Sequence, residues 1–109
     1  MQDLTEATIT SFIQAPTLSV VDFWAPWCSP CKALSPTLEA IELDSPDIRF
    51  GKINTDEFRE VATNLSVRSV PTLIFFRAGT EASRLVGFQS RDTIQAHIKS
   101  LLLPSDAEV

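Results

Sequence analysis

The chain has 109 residues, is 44% hydrophobic and 21% charged, and carries a formal charge of −5. That length and composition suit one globular domain able to bury its own core. The acidic balance offers no basic patch for phosphates, which argues against a nucleic-acid partner, and no run of about eighteen apolar residues exists to cross a membrane.

In chain order, Thr5 or Asp3 can cap a helix over about 6–14 in which Ile9, Phe12 and Ile13 recur at helical spacing before Pro16. From Leu18 to Ala25 both alternating faces are largely apolar, which predicts a central strand covered on both sides and parallel to its neighbours. Ala33, Leu34, Leu38, Ala40, Ile41 and Leu43 then form a helical stripe that ends at Asp44-Ser45-Pro46, with Pro36 inside it as a kink. Ile48–Ile53 is a second strand, joined to the first by a right-handed parallel crossover. Asp56 can cap a helix with Phe58, Val61, Ala62 and Leu65 as its apolar positions.

Val70–Phe76 is a third strand led by Pro71, a position that gives up no ladder donor. The turn Arg77-Ala78-Gly79-Thr80 connects it to Ser83–Val86 as an antiparallel hairpin. Ser90 caps a last helix from about Arg91, with Ile94, Ile98, Leu101 and Leu102 on one face, and 104–109 reads as a polar tail. The sum is an α/β fold in a single domain over 1–109, a mixed central sheet of four or five strands with helices on both faces. No repeat, linker or low-complexity segment interrupts it.

Both cysteines of the chain lie in Trp27-Cys28-Ser29-Pro30-Cys31-Lys32, where the first strand runs into the second helix. A ring with two residues between its sulfurs removes little entropy from the unfolded chain, so a Cys28–Cys31 bond is a poor staple and is more plausibly made and broken. The start of the chain has neither a basic nor an apolar leader segment, which predicts a soluble, unsecreted protein in a reducing compartment, where such a pair is catalytic, sensing or metal-binding. A zinc site needs two further ligands, and the chain offers no third cysteine and a single histidine, His97. His97 reads as a surface or boundary residue of the last helix.

A thiolate attacks disulfides, and at a helix N-terminus unpaired N–H groups and the helix dipole favour that ionised form. Cys28 occupies this position and reads as the nucleophile. Cys31, one helical turn on and deeper, reads as the resolving thiol. Asp22 lies in the middle of an apolar strand, where burial would raise its pKa and make it a proton acceptor; the alternative is a solvated residue at a frayed edge. Lys52, in phase with Ile48 and Phe50, either offsets the Asp22 charge or is an ordinary exposed lysine. Trp24 reads as core, and Trp27 as a surface residue beside the sulfur. Most X–Pro bonds are trans, so sequence by itself gives no reason for a cis bond at Pro71.

The stretch Phe23-Trp24-Ala25-Pro26-Trp27-Cys28-Ser29-Pro30-Cys31-Lys32, with Asp22 before it and Val70-Pro71-Thr72 and Val86-Gly87 later, resembles the thioredoxin family. The resemblance runs through nearly the whole chain and implies a thioredoxin fold and a protein-disulfide reductase. It implies attack by Cys28, resolution by Cys31, and proton transfer from Cys31 to Asp22 through water with help from Lys52. It further implies a cis Pro71 against the cysteines and strand-like pairing of the target with the Val70 backbone. Trp27, Ser29, Pro30, Val70, Pro71, Val86 and Gly87 would form the docking surface.

Three residues depart from the family pattern. Ser29 and Ser69 stand where glycine is common, and Phe88 places a bulky ring beside the docking glycine. Ser29 can move the redox poise, and Ser69 and Phe88 can narrow the choice of targets. The chain has no glycine-rich phosphate loop, so it should bind no cofactor beyond its own disulfide. Electrons would then come from a thioredoxin reductase that uses NADPH or ferredoxin. The implied protein is a monomer of the cytoplasm, or of an organelle stroma or matrix after removal of a transit peptide, acting on disulfide-containing targets. The competing readings are a redox-dependent binding module or sensor and, from an oxidising compartment, a disulfide oxidase or isomerase. The family's first strand is reduced to about Gln2–Leu4 or absent.

Overall fold

The computed structural model describes residues 1–102; the expected polar tail at 104–109 lies outside them. The elements run β1 (Gln2–Asp3), α1 (Glu6–Ile13), β2 (Leu18–Trp24), α2 (Ser29–Leu43), β3 (Arg49–Asn54), α3 (Arg59–Asn64), β4 (Thr72–Arg77), β5 (Thr80–Val86) and α4 (Arg91–Leu102). They form one sheet of five strands in the order β1-β3-β2-β4-β5. The short first strand exists, pairing Gln2 and Asp3 with Gly51 and Lys52.

β2 is central, but it is not parallel to both neighbours as the sequence suggested. It runs parallel to β3 and antiparallel to β4. β4 begins at the end where β3 stops, with Thr72 opposite Phe23, so the segment between them, which includes α3, does not carry the chain back along the sheet before β4 starts.

Alternation along the strands sends side chains to two cores. Leu18, Val20, Phe50, Leu73 and Phe75 pack against Leu34, Leu38 and Ile41 of α2 and Ile94 and Ile98 of α4. Val21, Phe23, Ile53, Ile74 and Phe76 pack with Leu4, Ile9, Phe12 and Val61 on the other face. Gly51 belongs to this second face, where a Cβ would come within 2.7 Å of Leu4 Cδ1 and 3.0 Å of Phe12 Cζ. Asp22 and Lys52 fall in the parity of Val20 and Phe50, so both project beneath α2.

Several expected helix positions differ. Ala33, Leu43 and Leu102 are exposed, because the stripe that meets the sheet is narrower than the full set of apolar residues on α2 and α4. α2 runs through Pro36 to Leu43, as the apolar stripe predicted. Asp56 does not cap α3: the N-cap is Phe58 without a side-chain bond, and Asn54 Oδ1 instead accepts the N–H groups of Asp56 and Glu57 at 2.9 and 3.4 Å. Ser90 caps α4 as expected, its Oγ accepting the Thr93 N–H at 3.2 Å. The hairpin reaches further than predicted, with Ala78 and Gly79 at φ 51° and 83° in the turn and a bulge between Phe75 and Phe76.

Candidate functional site

β2 ends at Trp24, and Cys28 is the N-cap of α2 with extended backbone (φ −90°, ψ 105°) and Pro30 in the first turn. Proline is tolerated there because the first N–H groups of a helix have no partner in any case. One of those groups is used directly: the Cys31 N–H donates to Cys28 Sγ at 3.1 Å. Cys28 and Cys31 are joined in a disulfide with Cα atoms 5.3 Å apart. Helix geometry places the second sulfur one turn along on the same face, which the two-residue spacing requires.

In this oxidised state the two cysteines are equally covered, each 3% exposed, and do not differ in depth as expected. Their inner surroundings do differ. Cys31 borders a cavity of about 140 Å³ lined also by Asp22, Trp24, Lys32, Ser35 and Lys52, and Cys28 does not. Asp22 is 2% exposed, and its Oδ1 is buried without a hydrogen-bond partner. Burial pushes its pKa from 3.8 up to about 7, against a smaller lowering by the Lys52 charge. The frayed-edge reading of Asp22 is thereby excluded.

Lys52 is the cross-strand partner of Asp22 on β3 and of Asp3 on β1. Its Nζ lies 3.7 Å from Asp3 Oδ1 and 5.4 Å from the centre of the Trp24 ring. Trp24 is half-buried, packs on the Ala25–Cys28–Cys31 cluster, and has its Nε1 buried without a partner.

Of the residues expected to dock a target, Trp27 is 69% and Val86 57% exposed, Ser29 and Pro30 are exposed, and Gly87 and Val70 are half-buried, Val70 packing on the cysteine pair; Phe88 is 53% exposed. Pro71 is buried, so it supports this surface from below and is not one of its exposed members. The Val70–Pro71 bond is cis, as the family resemblance implied and the sequence by itself did not. The Gly87 N–H donates to the Pro71 carbonyl at 2.8 Å. Gly87 has φ 87°, a conformation that suits glycine. Among the described residues, neither the N–H nor the C=O of Val70 enters a backbone hydrogen bond.

Sequence reasoning missed Asp56, whose Oδ2 accepts the Trp27 indole N–H at 2.9 Å and turns the ring beside the disulfide. No local signal marks a pair 29 residues apart. His97 lies away from the cysteines, its Nε2 2.8 Å from Ser83 Oγ and its ring against Phe75. Among the described residues, no group of three metal-ligating side chains converges.

A thioredoxin family model matches residues 1–100. The chain is 35% identical over 100 residues to the thioredoxin of Alicyclobacillus acidocaldarius subsp. acidocaldarius, across 91% of this chain and 95% of that one. It is 35% identical over 106 residues to the chloroplastic M-type thioredoxin of Spinacia oleracea, across 95% of this chain and 59% of the relative. The solved structure of Fasciola hepatica thioredoxin superposes with a TM-score of 0.85 at 33% identity, covering 92% of this chain and 98% of that one.

Proposed function

Since the chain belongs to the thioredoxin family and is a thiol-disulfide oxidoreductase that reduces protein disulfides, we propose that Cys28 is its attacking thiolate and Cys31 its resolving thiol. The observation that carries this assignment is the asymmetry of the pair: the helix-end N–H is aimed at Cys28 Sγ, and Cys31 borders the Asp22 cavity. The N–H and the helix dipole favour negative charge on Cys28.

The Cys28 thiolate attacks one sulfur of a target disulfide, forming a Cys28–target bond and expelling the other target sulfur as thiolate. Cys31 passes its proton toward Asp22 through water, for which about 140 Å³ gives room, a water occupying about 30 Å³. The Cys31 thiolate then attacks Cys28 Sγ. The target leaves as a dithiol and the chain keeps the Cys28–Cys31 disulfide, the state described above. A carboxyl with pKa about 7 accepts and releases a proton near neutrality, and Lys52 steadies the ionised form.

Trp27, Ser29, Pro30, Val70, Val86 and Gly87 receive the target over buried Pro71, and the unpaired Val70 backbone supports pairing with an extended target segment. Thioredoxins need no cofactor, and the redox group is the cysteine pair itself. Two electrons return from a reductase dependent on NADPH or ferredoxin. The chain acts as a monomer and a single domain in a reducing compartment, the cytoplasm or an organelle such as that of the chloroplastic relative.

Insulin reduction tests the assignment. Cys28→Ser abolishes turnover, and Cys31→Ser accumulates a covalent adduct with the target that denaturing electrophoresis without reductant detects. An adduct trapped through Cys31 in Cys28→Ser, with none through Cys28 in Cys31→Ser, reverses the roles, and turnover by Cys28→Ser refutes the two-cysteine mechanism itself.

A further inference from the structure

The loop between α3 and β4 delivers Val70 and Pro71, and the helix before it is weak. α3 has six residues, far fewer than an isolated helix needs in water. Beyond its end the backbone passes through Ser66 at φ 57°, the left-handed region that disfavours a residue with a side chain. The carbonyls of Leu65 and Ser66 emerge there, at the negative end of the helix.

Arg84, in the middle of β5, reaches this turn. Its Nη2 donates to the Leu65 carbonyl at 2.8 Å and its Nη1 to the Ser66 carbonyl at 3.3 Å. On its other edge, Nε and Nη2 donate to the two carboxylate oxygens of Glu81 at 2.6 Å each, which fixes the plane of the guanidinium. Further along β5, Val86 pairs with Thr72 and the Gly87 N–H binds the Pro71 carbonyl. Residues 67–70 are thus strung between two attachments to one strand. Among the described residues, Arg84 makes no hydrogen bond to Cys28, Cys31 or Asp22.

We infer that Arg84 is a positioning residue for target docking: its forked bonds to the Leu65 and Ser66 carbonyls hold the segment leading to Val70 and Pro71 in the shape that receives a protein target. The inference rests on the docking role proposed above for Val70 and Pro71. A segment already ordered binds without a further entropic cost, so loosening it weakens binding of a macromolecular target and leaves exchange at the sulfurs alone. A small disulfide that makes no use of the segment is indifferent to it. The planar fork matters as well as the charge, because a lysine ammonium cannot span both carbonyls and Glu81 in one plane.

The test compares Arg84→Ala, Arg84→Lys and Val70→Asp with the parent chain, using insulin as the protein disulfide and dithiobis-nitrobenzoate as the small one. Arg84→Ala is expected to raise KM for insulin about five- to tenfold with kcat within about twofold. Its rate with the small disulfide and its Cys28/Cys31 potential against glutathione match the parent. Arg84→Lys falls nearer to Arg84→Ala than to the parent. An unchanged KM for insulin in Arg84→Ala, an equal loss on both disulfides, or full rescue by lysine overturns the inference. Val70→Asp separates the two levels: if it too leaves KM for insulin unchanged, the docking role fails, and if it alone raises KM, only Arg84 is removed. Should Arg84→Ala not fold, Glu81→Gln loosens the guanidinium from its solvent side. A rise in KM for insulin of about twofold then supports the inference, and no rise overturns it.

Discussion

Replacing Asp22 with asparagine should make the oxidised protein more stable, and more so as pH rises. Asparagine keeps the shape of a protonated aspartate and cannot ionise. In the unfolded chain Asp22 titrates near 3.8, and in the folded protein near 7, chiefly because burial disfavours the carboxylate. Below about pH 4 both states are protonated and the residue contributes no pH dependence. Between about pH 4 and 7 the unfolded state has released the proton that the folded state still binds, so stability falls as pH rises. Above about pH 7 both are ionised and the loss is complete.

At about 1.36 kcal/mol for each pH unit between the two values, the loss is about 4 kcal/mol, a ceiling because water entering the adjoining cavity would solvate the charge. Guanidinium unfolding of oxidised parent and Asp22→Asn chains, followed by circular dichroism from pH 4 to 8.5, measures the difference directly. The gap between the two should open across about pH 4 to 7 and reach several kcal/mol at pH 8. Other carboxylates titrate in both proteins and cancel. A gap that does not change with pH would refute the reasoning, since Asp22 would then be ionised throughout or solvated. The same substitution should slow insulin turnover most near neutral pH, where Asp22 is proposed to accept the Cys31 proton.

Other perturbations separate site from scaffold. Gly51→Ala places a Cβ against Leu4 and Phe12 and should cost about 1–3 kcal/mol by thermal unfolding, with no effect on the Cys28/Cys31 potential. Asp56→Ala removes the acceptor of the Trp27 indole and should raise KM for insulin about two- to threefold in steady-state kinetics, a net hydrogen bond contributing about 1 kcal/mol or less at an exposed site. Arg91→Ala breaks an ion pair with Asp44 between two exposed side chains, and its effect on unfolding should stay below about 0.5 kcal/mol and vanish in high salt.

Local pattern was enough to place the elements and the reactive pair. Two sulfurs separated by two residues at a strand-to-helix junction have few uses, and apolar periodicity marked β2, α2, β3, β4 and α4 to within a few residues. A charge inside an apolar strand announced Asp22 in the same way. Pattern misjudged what depends on contact with distant segments. Leu43 and Leu102 continue an apolar stripe yet lie beyond the area the sheet covers. Asp56 looks like a helix cap and is a partner of Trp27, because Asn54 already binds the free N–H groups near it.

The sequence by itself determined the chemistry of this protein: residue type, spacing and the helix start that follows make Cys28 and Cys31 a redox pair whatever surrounds them. Tertiary structure decided the direction of β4, and with it the placement of the Val70–Pro71 segment beside the disulfide. It also decided that Asp22 shares a cavity with Cys31 and that Arg84 reaches the turn after α3. Burial and long-range hydrogen bonds are properties of packed surfaces, and a linear pattern carries them no further than the next turn of its own helix or the next residue of its own strand.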